Sequence, residues 1–486
     1  MGNSIKYDEL DKKLVQIIPS ERQLRHQQME FYGFVHFTVN TFTGKEWGDG
    51  TEAESIFDPA QLDAEQWVRA AKDGGMTGLI LTCKHHDGFC LWPSKMTSHT
   101  VENSPYKDGK GDVVRELSQA CAKEGLEFGV YLSPWDRNCK LYGQGKAYDD
   151  YFVEQLTELL TWYGPVFCVW FDGACGEGPN GKKQVYDWER YYKTIRELQP
   201  QACISVSGPD IRWCGNEAGD TRPSEWSVVP GSLFDQRKIT ENSQQTDDAA
   251  FREKRLADGD RDLGSREVMK NADRAIWYPA EVNTSIRPGW FYHEDEDDQV
   301  KSLEELKSVY LRSVGGNATF LLNLPPDKRG LFHENDVIRL HELGEWIRET
   351  FDRKKSSILK ADISANSEEK GYEAVYVRED SYECVFCPDE KMETMTELYF
   401  TWEKEQKIRY IVIKEDIRKS QRIEKFRIFR GCGDKREEIA AGTTVGYQKI
   451  VSLPEEISVK ELTLQITDSR QDVIISYVGA FSDGTR

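Results

Sequence analysis

VFCVWFDG, residues 166–173, is the stretch from which the fold of this 486-residue chain can be read. Six uncharged, mostly β-favouring residues lead into one carboxylate, Asp172, and then a glycine. A continuous apolar run of this kind is typical of a strand buried on both faces, as in a parallel sheet. Asp172 would then lie at the carboxyl end of the strand, where barrel and doubly wound enzymes carry their catalytic groups. An aspartate that only caps the following turn is the alternative, since acids are common there.

Similar apolar runs occur on both sides of this stretch, separated by amphipathic helical patterns. The other strands predicted in this way are Phe31–Phe37, Met76–Cys83, Leu126–Leu132, Ala202–Ser207, Ala275–Val282 and Ala318–Leu324. Alternation of strands and helices indicates parallel βαβ units. Residues 217–274 interrupt the pattern with long charged loops and one predicted helix, Ala249–Leu256. Loops of that length are usually functional, so we expect them to lie over the site.

The pattern changes after Lys355 to short alternating strands without long helices, which is typical of a β-sandwich. The predicted strands there are Tyr372–Val377, Glu397–Trp402, Ile408–Ile413, Glu424–Phe429, Glu461–Ile466 and Val473–Tyr477. We therefore predict two domains, an α/β barrel over residues 1–354 and a sandwich over residues 355–486.

The composition excludes some classes of partner. A formal net charge of -20 disfavours binding to nucleic acid and to anionic membrane surfaces, which both demand a basic face. No apolar run has the length of a membrane span, and residues 1–20 lack a secretory signal pattern. The expected location is therefore the cytoplasm, or the periplasm or exterior if a signal peptide has been removed. The 11 cysteines have no disulfide-scaffold spacing, and we interpret the close pair Cys384 and Cys387 as structural.

Carboxylates and aromatic residues at strand ends, without a glycine-rich phosphate loop, indicate sugar chemistry rather than phosphoryl or hydride transfer. Glycoside cleavage needs one ionised and one protonated carboxyl group on either side of the scissile bond. Asp172 is the candidate for the first and Glu217, in the loop WCGNEAG at residues 213–219, for the second. The competing acids are Glu46, Asp87, Asp136 and Glu281. Spacing alone does not choose among them, and a solvated loop acid is the alternative for Glu217.

Several motifs in one order give a closer resemblance. They are His36, Glu46-Trp47, KHHDGF at residues 84–89, Tyr131, WFDG at residues 170–173 and PGWFY at residues 288–292. Together they resemble the α-L-fucosidases of glycoside hydrolase family 29. The resemblance implies a (β/α)8-like TIM barrel followed by a β-sandwich, and a fucosylated oligosaccharide or glycoconjugate as the partner, with no cofactor.

The same resemblance implies roles for individual residues. Asp172 is expected to be the nucleophile of a retaining exo-hydrolase. The segment 213–219 is similar to the subfamily acting on α-1,3 and α-1,4 fucosyl branches of Lewis-type glycans, in which Glu217 would be the acid/base. The residues expected to contact fucose are His36, Glu46, Trp47, His85, His86, Tyr131 and Trp290, with Trp135, Trp213 and Glu281 as further candidates.

Three alternatives remain beside this interpretation. A fucosidase of broad specificity would use another glutamate as its acid/base. A non-catalytic lectin-like barrel would bind fucose without cleaving it. A metal-dependent hydrolase would use His85 and His86 as ligands, since imidazole is the usual transition-metal ligand. We expect no metal, because no third ligand accompanies the pair at a recognisable spacing such as His-Glu-x-x-His.

Overall fold

A computed structural model describes residues 7–256, 261–389, 395–431, 433 and 436–484. A parallel eight-stranded sheet, nearly closed into a barrel, forms the first part of the described chain, and an antiparallel sandwich forms the second. The predicted fold class is therefore confirmed. The division between residues 354 and 355 stays a prediction. No helix in the described ranges is both long enough and apolar enough to span a membrane.

The barrel region contains ten of the described strands, and all but β7 and β8 belong to the barrel sheet. They are β1 (Phe31–Val35), β2 (Gly78–Lys84), β3 (Glu127–Leu132), β4 (Cys168–Phe171), β5 (Cys203–Val206), β6 (Arg212–Trp213), β7 (Val228–Pro230), β8 (Ala275–Trp277), β9 (Ala280–Ser285) and β10 (Ala318–Asn323). The barrel order is β5-β4-β3-β2-β1-β10-β9-β6, with all neighbours parallel. Val206 N donates to Ile211 O at 3.0 Å and so links β5 to the residue before β6.

Burial explains the apolar runs read from the sequence. Every residue of β2 and β4 is buried, because the barrel interior covers one face of each strand and the surrounding helices cover the other. Gly33 in β1 allows a close approach, since a Cβ there would lie 2.5 Å from Leu79 Cδ2. The barrel is thus a packed core with polar groups confined largely to the strand ends.

Twelve α-helices lie in the described part of the chain, most of them in the connections between strands. They are α1 (Glu9–Leu14), α2 (Glu21–Gln28), α3 (Val39–Thr43), α4 (Ala64–Asp73), α5 (Val113–Glu124), α6 (Lys146–Trp162), α7 (Trp188–Leu198), α8 (Gln236–Asn242), α9 (Ala249–Arg252), α10 (Arg266–Met269), α11 (Leu303–Ser313) and α12 (Glu334–Phe351). Side-chain caps begin several of them, as where Asp63 accepts from Gln66 N and Asp112 accepts from Arg115 N.

Two predictions within the barrel region were wrong in detail. The predicted strand Ala275–Val282 is divided, because Pro279 has no N–H to donate to a ladder. The part before it, β8, pairs with β7 outside the barrel, and the part after it, β9, is a barrel strand. The predicted helix Ala249–Leu256 is helical only over Ala249–Arg252, and Leu256 N instead donates to Asp220 Oδ2.

The sandwich is built around two long strands, β12 and β15. Its strands are β11 (Asp362–Ala365), β12 (Thr396–Glu415), β13 (Ile423–Arg430), β14 (Glu437–Gly442), β15 (Lys449–Ser469) and β16 (Ile475–Phe481). The order is β11-β12-β15-β13-β14, and β16 pairs with the second half of β12. A register shift between Thr401 and Gln406 divides β12, so that its two halves contribute to different parts of the sandwich. The predicted strands Glu397–Trp402 and Ile408–Ile413 are these two halves.

The predicted strand Tyr372–Val377 was wrong, since Ala374–Arg378 is a 3-10 helix. Ala374 N donates to the carboxylate of Glu368 at 3.0 Å, a local bond that competes with pairing to a neighbouring strand.

Aromatic and cation–π contacts join the two parts of the chain. Phe351, the last residue of α12, lies against Tyr410 and Phe481 of the sandwich, with ring centroids 5.3 and 5.7 Å apart. Arg470 is fully buried and donates through Nε to Glu424 at 2.7 Å. Its guanidinium lies 3.9 Å from the ring centroid of Trp226, in the segment after β6. Arg470 therefore links the sandwich to loops on the barrel side.

We expect Arg470→Met to lower the free energy of unfolding by roughly 3 kcal/mol, because removing one partner leaves the Glu424 carboxylate buried and unpaired. Urea denaturation followed by tryptophan fluorescence measures the change. Arg430→Met is the matched control, since Arg430 pairs with Glu437 at the surface and such pairs contribute about 0 to 1 kcal/mol. Equal effects of the two substitutions would contradict a large contribution from the buried Arg470–Glu424 pair.

Candidate active site

The carboxyl ends of the barrel strands meet around one cleft of about 580 Å³, counting the solvent at its mouth. Its size suits a monosaccharide with part of a neighbouring sugar. The lining residues are Phe34, His36, Glu46, Trp47, His85, His86, Trp170, Asp172, Ala174, Val206, Trp213, Glu217, Ser243, Gln244, Asn283 and Trp290. The structure thus brings together most of the residues that the sequence singled out.

Asp172 follows β4 and uses its two carboxylate oxygens differently. Oδ1 accepts from Ala174 N at 2.9 Å, which is the turn-capping contact considered as an alternative. Oδ2 accepts from the Tyr131 hydroxyl at 3.1 Å and lies 3.7 Å from His86 Nε2. Burial raises the pKa of Asp172, and the hydrogen bonds from Ala174, Tyr131 and Gly173 oppose that rise. One oxygen therefore fixes the carboxylate while the other remains available at the cleft.

Glu217 lies in the loop after β6, and the residues next to Glu217 determine the conformation of this loop. Gly215 and Gly219 have φ angles of 108° and 69°, which favour glycine, and Asn216 Oδ1 accepts from the backbone N–H of Ala218 and Asp220. Trp290 Nε1 donates to Glu217 Oε2 at 3.0 Å. Glu217 is therefore held against Trp290 at the cleft.

The acidity of Glu217 differs from that of an ordinary glutamate. Burial raises its pKa to about 7, and the negative charge of Asp172 contributes to the rise, while the Trp290 donor and the charge of Arg252 oppose it. A carboxyl group with this pKa is partly protonated at neutral pH and can act as a proton donor.

The three histidines of the cleft are neutral near pH 7. Burial lowers the pKa of His36 to about 4 and of His86 to about 3, and it lowers that of His85 as well. His36 Nδ1 lies 2.7 Å from Asn323 Oδ1 and must donate to it, since an amide oxygen only accepts. Its Nε2 is then a hydrogen-bond acceptor.

His86 is held in the same tautomer. The Ser133 hydroxyl donates to Trp135 O, so Ser133 Oγ accepts from His86 Nδ1 at 2.7 Å. His86 Nε2 and Asp172 Oδ2 are then two acceptors facing each other at 3.7 Å. A donor such as a substrate hydroxyl would satisfy either of them. His85 Nδ1 is buried and has no hydrogen-bond partner among the described residues.

Glu46 accepts four hydrogen bonds or ion pairs from other segments. The donors are Trp290 N at 2.8 Å, Phe291 N at 3.3 Å, His293 Nε2 at 2.6 Å and Arg252 Nη1 at 3.2 Å. Burial alone would raise the pKa of Glu46, but these donors lower it below its ordinary value. Glu46 is thus an ionised group that lines the cleft and also holds Trp290 in position.

Aromatic side chains form the walls. Trp47 packs edge-on against Trp135 and His86, with centroids 5.4 and 5.2 Å apart. Trp213 donates through Nε1 to Asn283 Oδ1 at 2.7 Å, and its ring stacks with Phe251 of α9 at 6.2 Å. Apolar faces of this kind suit the faces of sugar rings.

Some candidate residues lie outside the cleft lining. Tyr131 acts through its bond to Asp172, and Trp135 supports Trp47 and His86 from behind. Glu281 on β9 is fully buried beneath the cleft, where it accepts from Trp170 Nε1 at 2.8 Å and from Tyr32. Burial raises the pKa of Glu281 to about 7.

Asp87 and Asp136, the other competing acids, do not line the cleft and have structural partners. Asp87 accepts from Thr38 and from Phe89 N, and Asp136 pairs with the buried Lys84 at 2.9 Å.

The sequence reading missed several residues at the cleft or in contact with its lining. Ser243 and Gln244 come from the long segment after β6, and Arg252 comes from α9 in the same segment. Asn283 belongs to β9, and His293 follows the PGWFY motif. Irregular loops give no periodic signal, so only the length of the segment indicated a role for it.

Among the described residues, one group of side chains could hold a metal ion. Ligand atoms of His85, His86 and Asp172 all lie within 4.8 Å of one another. Two neutral imidazoles and a carboxylate are a chemically suitable set for zinc or a similar ion. The same Asp172 oxygen cannot both bind a metal and attack a substrate, so this arrangement competes with a nucleophilic role.

Comparisons with known proteins agree on one family. A family model described as Alpha-L-fucosidase matches residues 18–351. Alpha-L-fucosidase 1 of Arabidopsis thaliana is 36% identical over 477 residues, 96% of this chain and 88% of that protein.

Solved structures extend the similarity over the whole fold. One from Bacteroides ovatus shares 41% identity with a TM-score of 0.84 and covers 100% of this chain and 77% of that chain. A Ruminococcus gnavus GH29 fucosidase in complex with fucose shares 28% identity with a TM-score of 0.82, covering 97% of this chain and 98% of that chain.

Proposed function

This chain belongs to the α-L-fucosidase family, glycoside hydrolase family 29, and we propose that it releases terminal α-1,3- or α-1,4-linked fucose with retention, using Asp172 as nucleophile and Glu217 as acid/base. One observation carries the assignment of the two acids. They line the same cleft, yet Asp172 is hydrogen-bonded as a carboxylate whereas the pKa of Glu217 is raised to about 7. Two carboxyl groups with such different environments suit the two roles of a retaining glycosidase.

The first step forms a bond between Asp172 Oδ2 and the anomeric carbon, while the bond from that carbon to the leaving oxygen breaks. Glu217 gives its proton to the leaving oxygen, so the aglycone departs as a neutral alcohol. The Tyr131 hydroxyl, 3.1 Å from Oδ2, holds the attacking oxygen in place.

The second step hydrolyses the glycosyl-enzyme. Glu217, now ionised, takes a proton from water as the water oxygen attacks the anomeric carbon, and the Asp172 carboxylate leaves. Two inversions give net retention. The pKa of about 7 serves both steps, because Glu217 must be an acid in one and a base in the other.

The cleft supports binding of fucose, a 6-deoxy sugar. Neutral His36 and His86 each present Nε2 as an acceptor for a hydroxyl, as the tautomers require. The walls around them include Phe34 and Trp170, which offer apolar surface for the methyl group.

The linkage preference rests on the segment 213–219, with Glu217 inside it. A broad-specificity fucosidase with another acid/base is the alternative. Asp87, Asp136 and Glu281 lie outside the cleft lining, and the donors around Glu46 lower its pKa. Glu217 is therefore favoured, because it lines the cleft, has a single donor and has a pKa of about 7.

We expect Asp172→Asn to lower kcat on an aryl fucoside by about four orders of magnitude, or about 5.4 kcal/mol in the barrier, because the amide cannot attack. Steady-state hydrolysis measures the loss of kcat. In a separate test, a chelator should leave the rate of the wild-type enzyme unchanged. Asp108→Asn is the matched control, since Asp108 is exposed in the short segment Tyr106–Gly109 and has a positive φ that asparagine tolerates. Undiminished activity of Asp172→Asn would remove the nucleophile assignment, and inactivation by the chelator would favour the metal-dependent alternative.

Azide separates the two roles. In the Asp172→Gly variant, azide should take the place of the missing carboxylate and give the β-fucosyl azide by one inversion. In the Glu217→Ala variant, azide should attack the glycosyl-enzyme and give the α-fucosyl azide. Proton NMR of the anomeric signal distinguishes the products.

The pH profile of kcat/KM should be bell-shaped, with its basic limb near pH 7. Activity falls above that pH as Glu217 loses the proton it must donate, and falls at low pH as Asp172 is protonated. Glu217→Gln should abolish the basic limb on an aryl fucoside with a good leaving group, since no proton donation is then needed. A basic limb that persists in Glu217→Gln would assign it to another group.

We expect kcat/KM for Lewis-type α-1,3 and α-1,4 trisaccharides to exceed that for 2'-fucosyllactose by at least about tenfold, equivalent to 1.4 kcal/mol. Released fucose, measured with a coupled dehydrogenase assay, gives the comparison. Preference for the α-1,2 linkage would overturn the linkage assignment and leave the fucosidase activity intact.

A further inference from the structure

A second cavity, of about 1000 Å³ with the solvent at its mouth, lies beside the active-site cleft. Val206 and Trp213 line both spaces. Cys214 and Gly215, which lead from Trp213 to Glu217, also line the second cavity. The two spaces therefore adjoin at the loop that carries the acid/base.

The lining of this side cavity is cationic. Among the described residues, five basic side chains and no carboxylate line it: Arg212, Arg222, Lys238, Lys254 and Arg255. The chain as a whole has a net charge of -20, so the positive charge of this cavity is opposite to that of the protein as a whole. Such a local field attracts anionic groups that the rest of the surface would repel.

Two of these cations are already compensated. Arg212 and Arg222 are buried and both contact the carboxylate of Glu225. Arg212 also donates to the carbonyls of Tyr278 and Trp226. These two arginines fix the inner wall of the cavity.

The other three cations are exposed and have no carboxylate partner in the described part of the chain. Lys238 lies on α8, and Lys254 and Arg255 follow α9. Lys254 Nζ lies 5.5 Å from the Phe251 ring centroid, and Arg255 Nη1 reaches only the carbonyl of Ala218 at 3.4 Å. Three charges that have no carboxylate partner among the described residues therefore line one cavity and are candidates for binding a ligand.

The position of the cavity identifies the part of the substrate it faces. Glu217 protonates the leaving oxygen in the proposed mechanism, so its loop lies on the aglycone side of the scissile bond. A cavity against the same loop therefore takes sugars beyond that bond rather than the fucose itself.

We propose that the side cavity is an aglycone subsite for an anionic group, so that the preferred substrates are fucosylated glycans that carry an acidic sugar or a sulfate ester. This inference rests on the proposed fucosidase function. A carboxylate and a sulfate ester share the chemistry that ammonium and guanidinium groups recognise.

The test compares kcat/KM for a neutral Lewis-type trisaccharide with that for its sialylated and its sulfated forms. At low ionic strength we expect one or both anionic substrates to be favoured by about tenfold, and the preference to fall in 0.5 M NaCl because salt screens exposed charges. The two anionic arms distinguish a carboxylate from a sulfate ester as the natural group. Equal values for all three substrates would overturn the proposal.

The triple variant Lys238→Gln, Lys254→Gln, Arg255→Gln should bring the ratio of anionic to neutral kcat/KM close to one. Lys404→Gln, Lys419→Gln, Lys425→Gln is the matched control, because it removes the same charge from exposed sandwich positions and should keep the preference. A preference that survives the first triple variant would also overturn the subsite.

Binding and turnover separate failure of this subsite from failure of the proposed function. Hydrolysis of an aryl fucoside tests the function without the side cavity. Calorimetry with the Asp172→Asn protein measures affinity for the neutral and anionic glycans without turnover. Equal affinities would refute the subsite, whether or not the enzyme proves to be a fucosidase.

Discussion

The active site depends on how many hydrogen-bond donors reach each of three carboxyl groups in one low-dielectric cleft. Burial disfavours the ionised form of all three, and donors restore it. Glu46 has four donors and its pKa is lowered, whereas Asp172 has backbone N–H groups and the Tyr131 hydroxyl, and its pKa is raised. Glu217 has the single indole donor of Trp290 and reaches a pKa of about 7. The supply of donors thus separates one ionised group, Glu46, from two carboxyl groups with raised pKa values, which supports the different roles proposed for Asp172 and Glu217.

Glu46 connects these groups physically. Its carboxylate fixes the backbone of Trp290, and the indole of the same residue donates to Glu217. Gly289 makes the approach possible, because a Cβ there would lie 2.6 Å from Glu46 Oε1. Arg252 reaches Glu46 from α9, so the segment over the cleft is tied to the same carboxylate. A buried charge-assisted network of this kind holds catalytic groups with little freedom.

The sequence predicted those parts of the fold that show hydrophobic periodicity and those parts of the site that lie at the end of a strand. The apolar run before Asp172 identified β4, and the strand-end positions of His36 and His85 brought them to the same rim. Glu281 also looked like a rim residue, yet it is the second residue of β9 and its side chain lies beneath the cleft against Trp170, whereas Asn283, two residues nearer the carboxyl end and on the same face of the strand, lines the cleft.

Contacts between loops that are far apart along the chain leave no such pattern in the sequence. The bonds from Arg252 and His293 to Glu46 join residues more than two hundred positions apart, and no periodicity predicts them. Glu217 was chosen from family resemblance, since its glycine-flanked loop resembles many others. The two-residue strand β6 was too short to produce an apolar run at all.

The short strand β6 places little constraint on the position of the residues that follow it. Two residues of β6 pair with β9, so the ladder alone provides little to fix Glu217 four positions later. Other bonds supply the rigidity: Arg212 is tied to Glu225 and to two carbonyls, Trp213 to Asn283, and Asn216 to the turn around Glu217. Because side chains rather than a long strand position Glu217, its loop can vary in length and course without disturbing Asp172, which follows β4. The adjoining side cavity arises from the same freedom, since the chain that leaves β6 must travel through α8 and α9 before it returns to the barrel at β9. In the proposed mechanism, an acid/base at this position has a neighbouring surface that can be shaped for the aglycone, while regular strands fix the end of the cleft proposed to bind fucose.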